Sequence, residues 1–510
     1  MKFNIPKEIQ VIVETLIKNK FQAYLVGGCV RDLLIGRAVN DWDIATDAKP
    51  EEIQKIFSDS VYENKFGTVA VKIEGTREQE LGTRIVEVTT FRLEGKYTDK
   101  RHPDEVKFAK TIEEDLGRRD FTVNAMALVI VGHPEVKPKD PKRFFVPLRE
   151  TQNDEAIIDP YGGQADLKKK IIRAVGNPEE RFQEDALRLM RAVRFSAQLG
   201  FRIEEKTEAA IKKHAGLLEF IAKERVRDEM IKIVMSQGAV SGLEKLRELG
   251  LMKLVMPEVE EGVGVGQNKH HIYMVYEHNL KSFEYAVKQN FALDVRIASL
   301  LHDVGKPRVK QGEGPDCTFY SHQVVGERMV LNMLDRLRFP RDMVEKVALL
   351  VREHMFVYDP ETVTLSGVRR LVRRAGPENM DDLLKLREAD RIGSGVPKAQ
   401  PYRLRYLKAM IEKVQKDPIH PKMLKIKGDA VMEILKIEPG PKVGKVLAIL
   451  LDEVLEEPEL NSGEILKKRV QALGKLSEKE LEKLAEKAKE NAAEAQRRID
   501  DEIKKKYFVK

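Results

Sequence analysis

The chain has 510 residues, 42% hydrophobic and 34% charged, and no stretch approaches the roughly 18 uninterrupted apolar residues of a membrane helix, which excludes a transmembrane protein. At roughly 150 residues per domain the length predicts three or four domains. Two cysteines cannot form a disulfide framework, the N-terminus MKFNIPKEIQ lacks the pattern of a secretory signal, and the expected compartment is the cytoplasm. The 90 basic against 83 acidic residues leave a net charge of +7, which permits a nucleic-acid partner through a local patch without implying one.

Apolar positions at Ile9, Ile12, Val13, Leu16 and Ile17 recur at helical spacing, and the run from Phe21 to Val26 predicts a strand entering the Gly27-Gly28 turn. Residues 30 to 36 predict a short helix, 41 to 45 a strand, 50 to 58 a helix, and 68 to 74 with 84 to 91 two β-branched strands, together a compact α/β unit. The proline-containing stretch from 131 to 154 predicts a loop or hairpin insertion, followed by turn chemistry at Asp159-Pro160-Tyr161-Gly162-Gly163. Strand signals then fade. Helical patterns run from 178 to about 250, a glycine-rich segment (Gly262, Gly264, Gly266) marks a boundary, and helical patterns resume from 272 to the end. Ser477 to Lys506 opens with a Ser477/Glu480 capping box and reads as a long solvated helix rich in Glu, Lys and Ala.

Between the first strand and helix, Gly27-Gly28-x-x-Arg31-Asp32 lets backbone amides approach a phosphate at a helix N-terminus while Arg31 supplies charge-assisted donors; the competing reading is a plain turn. In Asp41-Trp42-Asp43-Ile44 the period of two projects both carboxylates to one face and the apolar pair to the other. Like charges that close need a cation, and paired carboxylates with substrate phosphates suit Mg²⁺, so the pattern predicts two-metal phosphoryl transfer. The alternative is an edge strand with one wet face. Glu87 on IVEVTTFR is a candidate third acid, with Val86 and Val88 facing the core.

LVGGCVRDLLIGRAVNDWDIAT, with YTDKRHPDEVKF, RRDFTVNAMAL, EDALRLMRAVRF and KERVRDEM following in order, resembles the tRNA nucleotidyltransferases, the CCA-adding enzymes and their bacterial poly(A) polymerase relatives within the DNA polymerase β-like superfamily. The resemblance runs from about residue 22 to 230. It implies an α+β head with a small mixed sheet, followed by an all-α neck, body and tail, in which the neck reads the nucleotide and body and tail grip tRNA at its 3′ end and elbow. The expected divisions are a head at 1–175, a neck at 176–262, an HD-type body at 263–395 and a tail at 396–510. On this resemblance Asp41 and Asp43 hold the metal ions, Gly28 and Arg31 the triphosphate, and Arg119, Asp120 and Asn124 the ribose and nucleotide. Asp99, Arg101 and His102 match the family's loop that steers between nucleotides.

Glu184-Asp185-x-x-Arg188 continues to Arg191 and Arg194 at steps of three along one predicted helix, with Asp185 and Arg188 as neighbours. Cytosine and adenine each present an exocyclic amino donor beside a ring-nitrogen acceptor, so a carboxylate can accept from the first while an arginine donates to the second. Uracil and guanine have the opposite polarity, and a mismatched base leaves polar groups unpaired at a cost of about 1–3 kcal/mol each. The alternative is a solvated basic stripe over Leu189 and Val193.

LLHDVGKP resembles the HD phosphohydrolase motif, and His278, His302, Asp303 and Asp390 match its ligand positions. Imidazole with carboxylate suits a second divalent transition metal able to activate water, with His322 and His354 available to a second ion or a substrate phosphate. In the tail, Arg369, Arg370, Arg373 and Arg374, and Gly440 and Gly444 near Lys442 and Lys445, are candidate phosphate contacts. The leading expectation is therefore template-independent addition of C, A or both to tRNA from CTP and ATP with Mg²⁺. An A-adding enzyme or poly(A) polymerase is the nearest alternative, and an HD phosphohydrolase whose head only binds RNA is the alternative of another class. Motifs do not separate CC, A, CCA and poly(A) addition, and oligomeric state is open.

Overall fold

The computed structural model describes residues 3–62, 67–74, 83–94, 106–130, 145–147, 156–268, 272–416 and 424–509. These fall into two compact units, Met1–Ala348 and Leu349–Lys510.

The first unit opens with α1 (Lys7–Lys18), which buries Ile9, Ile12, Val13 and Leu16, the stripe its periodicity predicts. The head sheet contains β1 (Ala23–Val26), β2 (Asp43–Thr46), β3 (Ser60–Tyr62), β4 (Thr68–Glu74), β5 (Thr83–Thr90), β8 (Ala127–Val129), β9 (Phe145–Pro147) and β10 (Ala156–Ile158), in the order β3-β4-β5-β2-β1-β8-β10-β9. A separate pair is formed by β6 (Arg92–Glu94) and β7 (Val106–Phe108). Only β2 and β5 run parallel within the large sheet, so the mixed sheet and its helices make an α+β head. Three short helices accompany it: α2 (Gly28–Leu34), α3 (Pro50–Ile56) and α4 (Ile112–Gly117). Tyr24, Val26, Ala45, Phe91, Leu116 and Ala127 share one buried cluster, each large side chain adding about 1.5–3 kcal/mol of burial. The predicted 41–45 strand begins two residues late, leaving Asp41 in the connection ahead of β2. Within the expected 131–154 insertion, residues 145–147 pair with β10 as an added edge strand.

Helices follow: α5 (Gly163–Lys169), α6 (Pro178–Glu184), α7 (Leu187–Leu199), α8 (Glu205–His214), α9 (Lys223–Val234) and α10 (Ala239–Glu248). The single helix expected through Asp185 is in fact two. Asp185 sits between α6 and α7 in an extended conformation (φ −135°, ψ 104°), its Oδ1 accepting from the Leu187 amide at 3.0 Å, so the side chain caps the new helix instead of riding on it. Glycines let α10 close on α7: a Cβ on Gly238 would lie 2.3 Å from the Ala197 carbonyl oxygen. The helices Val275–Lys288 and Leu293–Leu301 then pack side by side.

The second unit is helical among its described residues. One core gathers Leu450, Val470 and Leu473 with Leu481, Ala485 and Ala488, and another joins Ala409 to Ile503 and Val509. The helix Glu478–Tyr507 is thus not simply solvated. It opens with the expected Ser477/Glu480 box, docks its first turns on one core and its last on the other, and pairs Lys506 with Glu412 at 2.7 Å and Lys413 with Asp500.

Candidate active site

Three carboxylates line the floor of a cleft of about 730 Å³ in the first unit: Asp41, Asp43 and Glu87. Asp43 opens β2 directly opposite Glu87 in the parallel register, while Trp42 and Ile44 are buried on the other side, as the period of two requires. Burial pushes the Asp43 carboxyl above its usual range, the Arg119 guanidinium opposes this, and the Asp41 charge reinforces it. Two acids that feel each other across a partly buried floor are the donor set that a divalent cation fits.

Above the floor, Gly27 turns the chain at φ +78° and ψ −132°, out of reach of most L-residues. A Cβ there would lie 2.5 Å from Arg119 Nη1 and 3.4 Å from Asp43 Oδ2. The glycine therefore makes room for an arginine beside the acid. Gly28 begins α2, and Arg31 one turn later forks onto Asp32 (2.9 and 3.0 Å) while its Nη1 donates to Asn124 Oδ1 at 2.7 Å.

The opposite wall is made by arginines. Asn124 Nδ2 donates to Asp120 Oδ1 (3.2 Å), and Asp120 Oδ2 accepts from Arg191 Nε (2.7 Å). Burial would raise Asp120, but the Arg191 and Arg188 charges outweigh it and hold the carboxyl below its usual range. Arg188 donates to Glu184 Oε2 (2.6 Å) and to the Arg181 and Arg118 carbonyls (3.1 and 3.0 Å). Arg194 lies against Glu229, Nε to Oε2 3.1 Å. The described head and neck residues singled out as site candidates line this one cleft, except Gly27, which forms the turn beside it, and Glu184, which pairs with Arg188.

Asp185 and Arg188 both line the cleft, and each is held by a partner of its own. Asp185 is gripped by Arg225 of α9, at 2.9 and 3.4 Å, and Arg188 takes its acidic contact from Glu184. Arg225, Phe195 and Asp32 also line the cleft and were assigned no role from sequence. Arg225 lies inside KERVRDEM, where a conspicuous basic residue was visible but its partner, 40 positions earlier, was not. Asp99, Arg101 and His102 lie outside the described residues.

A second cluster lies elsewhere in the first unit. His278, His302 and Asp303 bring one ligand atom each to within 4.8 Å of one another. His278 Nε2 is 2.9 Å from His302 Nε2 and 3.2 Å from Asp303 Oδ2; His322 Nε2 is 3.2 Å from Asp303 Oδ1. His302 and His322 use Nδ1 to donate to the Ser299 and Phe319 carbonyls (3.0 and 2.8 Å), which turns the Nε2 lone pairs inward, the tautomer a metal ligand needs. Lys306 Nζ meets Asp303 Oδ2 at 2.6 Å, one cation already beside these acceptors. These residues could hold a divalent ion.

Asp390 and His354 belong to the second unit: Asp390 accepts from Arg387 at 2.5 Å, and His354 is buried with Nδ1 2.7 Å from the Val351 carbonyl. There too, Arg369, Arg370, Arg373 and Arg374 are exposed, and Arg374 pairs with Glu353 at 3.0 Å. Gly440 caps the helix Pro441–Glu456, and Lys445 pairs with Glu482 at 2.9 Å.

A family model described as the poly A polymerase head domain matches residues 23–173, which span the glycine turn, the acids and the Arg119–Asn124 segment. Over these residues the chain is similar to that family. Further models match within the same chain: a probable RNA- and SrmB-binding site of polymerase A over 200–262, and an HD domain over 275–393. Among curated relatives, the CCA-adding enzyme of Ligilactobacillus salivarius (strain UCC118) is 44% identical over 254 residues, 49% of this chain and 55% of that protein. The CCA-adding enzyme of Geobacillus kaustophilus (strain HTA426) is 43% identical over 241 residues, 47% and 52%. The chain thus spans about half the length of the curated relatives it matches. The crystal structure of the Bacillus stearothermophilus CCA-adding enzyme in complex with CTP is similar over 91% of this chain and 96% of that one, at 28% identity and a TM-score of 0.53. A CCA-adding enzyme in complex with ATP shares the fold at 20% identity and a TM-score of 0.51, covering 93% and 96%. No helix among the described residues is long and apolar enough to cross a membrane.

Proposed function

We propose that the chain is a template-independent nucleotidyltransferase that adds C, A or both to the 3′ end of tRNA from CTP and ATP, in the cytoplasm. The observation that supports this most is the cleft itself, with paired acids on its floor, a glycine turn and Arg31 at one end, and an aspartate and arginines on the facing wall. The relative that holds CTP in its crystal structure supports the choice of nucleotide.

In this reading Asp41 and Asp43, with Glu87 beside them, would hold Mg²⁺, whose bound form lowers the charge barrier at the attacking 3′-hydroxyl and the leaving pyrophosphate. The chain's own groups do the rest. Gly27, Gly28 and Arg31 receive the triphosphate, Arg119 offsets charge next to Asp43, and Asp120 with Asn124 meets the ribose. Asp185 accepts from the exocyclic amino group of C or A while Arg188 donates to the ring nitrogen, and Arg225 fixes the Asp185 carboxylate against the wall. Arg191 and Arg194 carry the charge of the wall inward. The corresponding divisions are a head at 1–175, a neck at 176–262, an HD-type body at 263–395 and a tail at 396–510, with body and tail gripping the tRNA elbow.

Three tRNA transcripts, ending before the first C, after CC and after CCA, offered with each nucleotide alone, test the reading. A CCA-adding enzyme extends the first with CTP and the second with ATP and leaves the third alone. A CC-adding enzyme stops after the first, an A-adding enzyme uses only the second, and a poly(A) polymerase extends the third. Extension of none of the three overturns the proposal. The His278/His302/Asp303 cluster supports a second activity, hydrolysis of a phosphoester with a divalent transition metal. As the sole activity it would leave the head acids without a task.

A further inference from the structure

Phe195 of α7 is 6% exposed and reaches the cleft, where three guanidiniums gather on its ring: Arg194 at 4.1 Å, Arg31 at 5.2 Å and Arg191 at 5.4 Å from the centroid. All three lie within the roughly 6 Å at which a cation is attracted to an aromatic face. Arg31 comes from the phosphate end of the head and Arg191 from the neck. They are joined twice, once through the hydrogen-bonded chain Arg31–Asn124–Asp120–Arg191 and once through the ring, so that the two ends of the cleft close into a loop. The ring is itself held from behind by an edge-on contact with Phe121, centroids 5.7 Å apart at 80°. The cations do feel one another: burial pulls Arg194 down to about 10, with Glu229 opposing and the Arg191 and Arg31 charges adding to the fall.

We propose that Phe195 is a positioning residue: its electron-rich face spaces Arg31, Arg191 and Arg194 against their mutual repulsion, and so presents one preformed cationic array to a nucleoside triphosphate. This rests on the nucleotidyltransferase reading above. Each guanidinium already has a carboxylate (Asp32, Asp120 or Glu229), so the ring sets their spacing and not their charge. The array is shared by every triphosphate, whereas base choice belongs to Asp185 and Arg188, so loss of the ring affects CTP and ATP alike.

The test replaces Phe195 in the full chain site-specifically by 4-cyanophenylalanine, which drains the ring face, and by 4-methylphenylalanine, which adds para bulk to an electron-rich ring. Phe195→Leu removes the ring. The readouts are CTP and ATP binding without tRNA, KM and kcat on tRNA acceptors, and the thermal midpoint. The cyano protein is expected to keep its midpoint and to show a KM raised about tenfold for both nucleotides with kcat little changed, and the methyl protein, which adds para bulk without draining the ring, to show a clearly smaller rise. Leucine should match or exceed the cyano effect. If it fails to fold, the two aromatic variants decide. Cyano binding that equals or exceeds wild type, or equal losses in the cyano and methyl proteins, overturns the proposal. Wild-type protein that binds neither nucleotide overturns the functional reading instead.

Discussion

Gly27→Ala separates the cost of a strained turn from the cost of a displaced arginine. At φ +78° and ψ −132° an alanine costs about 1–3 kcal/mol in backbone strain alone. Its methyl would also sit 2.5 Å from Arg119 Nη1, closer than atoms tolerate, so the guanidinium beside Asp43 must move. Gly36 is the internal control: it is exposed, has φ +68°, and a Cβ there meets nothing within 4 Å. Both variants should lose a few degrees of thermal midpoint, since each kcal/mol shifts it by roughly 2–4 °C in a domain of about 200 residues. Only Gly27→Ala should lose turnover, by about a hundredfold, because a misplacement of about 1 Å near the reacting groups carries that penalty. The assay is incorporation of CTP into tRNA lacking its terminal CCA, at saturating nucleotide, beside a melting curve. Comparable turnover in the two variants would show that Arg119 has no part in holding the metal floor.

Asp41→Ala is expected to abolish incorporation of every nucleotide, whereas Asp185→Ala should relax discrimination against UTP more than it weakens triphosphate binding; equal loss for all nucleotides in the second variant argues against base reading by that side chain. Arg225→Met should reproduce a weaker form of the Asp185→Ala phenotype, measured as the ratio of CTP to UTP incorporation. Arg191→Met removes the largest charge holding Asp120 below its usual range. Because that depressed carboxyl contributes stability above its unfolded value, about 3.9, and loses it as pH falls through the folded value, the variant should be weaker at pH 7 by about 1–3 kcal/mol. The gap from wild type in denaturant midpoint should then close below about pH 4, and a gap constant from pH 3 to 7 contradicts the pairing. For the histidine cluster, His302→Ala should abolish hydrolysis of a 2′,3′-cyclic nucleotide with added Ni²⁺ or Mn²⁺ while leaving CTP incorporation intact; wild-type protein inert with every divalent metal removes the hydrolase reading.

Much of the cleft is visible in the sequence because its parts are local. The glycine turn, Arg31 one helical turn beyond it, and the alternation of Asp41, Trp42, Asp43 and Ile44 each fit within a few residues, and period and spacing are what sequence encodes directly. The pairing of Asp43 with Glu87 is not local: it depends on two strands 44 positions apart lying parallel in one register. The break at Asp185 shows a different limit. Apolar periodicity on either side argued for one helix, but an aspartate two residues ahead of Leu187 can bond that amide, and this local competition ended one helix and began another. The same effect hid the docked face of the helix Glu478–Tyr507. Its buried Leu481, Ala485 and Ala488 are so diluted by Glu and Lys that composition suggests solvent, while their spacing marks a narrow contact stripe.

That break also explains why the nucleotide wall needs two helices from the neck. An aspartate riding on α7 would be oriented by its own helix, and one placed ahead of the helix is anchored on one side only, through the Leu187 amide. Arg225 on α9 supplies the second anchor, and α9 is held to α7 by tight packing in which Gly242 lies against Ile233 and Ala197 with no room for a larger side chain. In the proposed reading, the carboxylate that faces a base is thus aimed from two directions at once. In that reading, stacking of these helices becomes a condition for telling one nucleotide from another, although Gly242, Ile233 and Ala197 do not line the cleft.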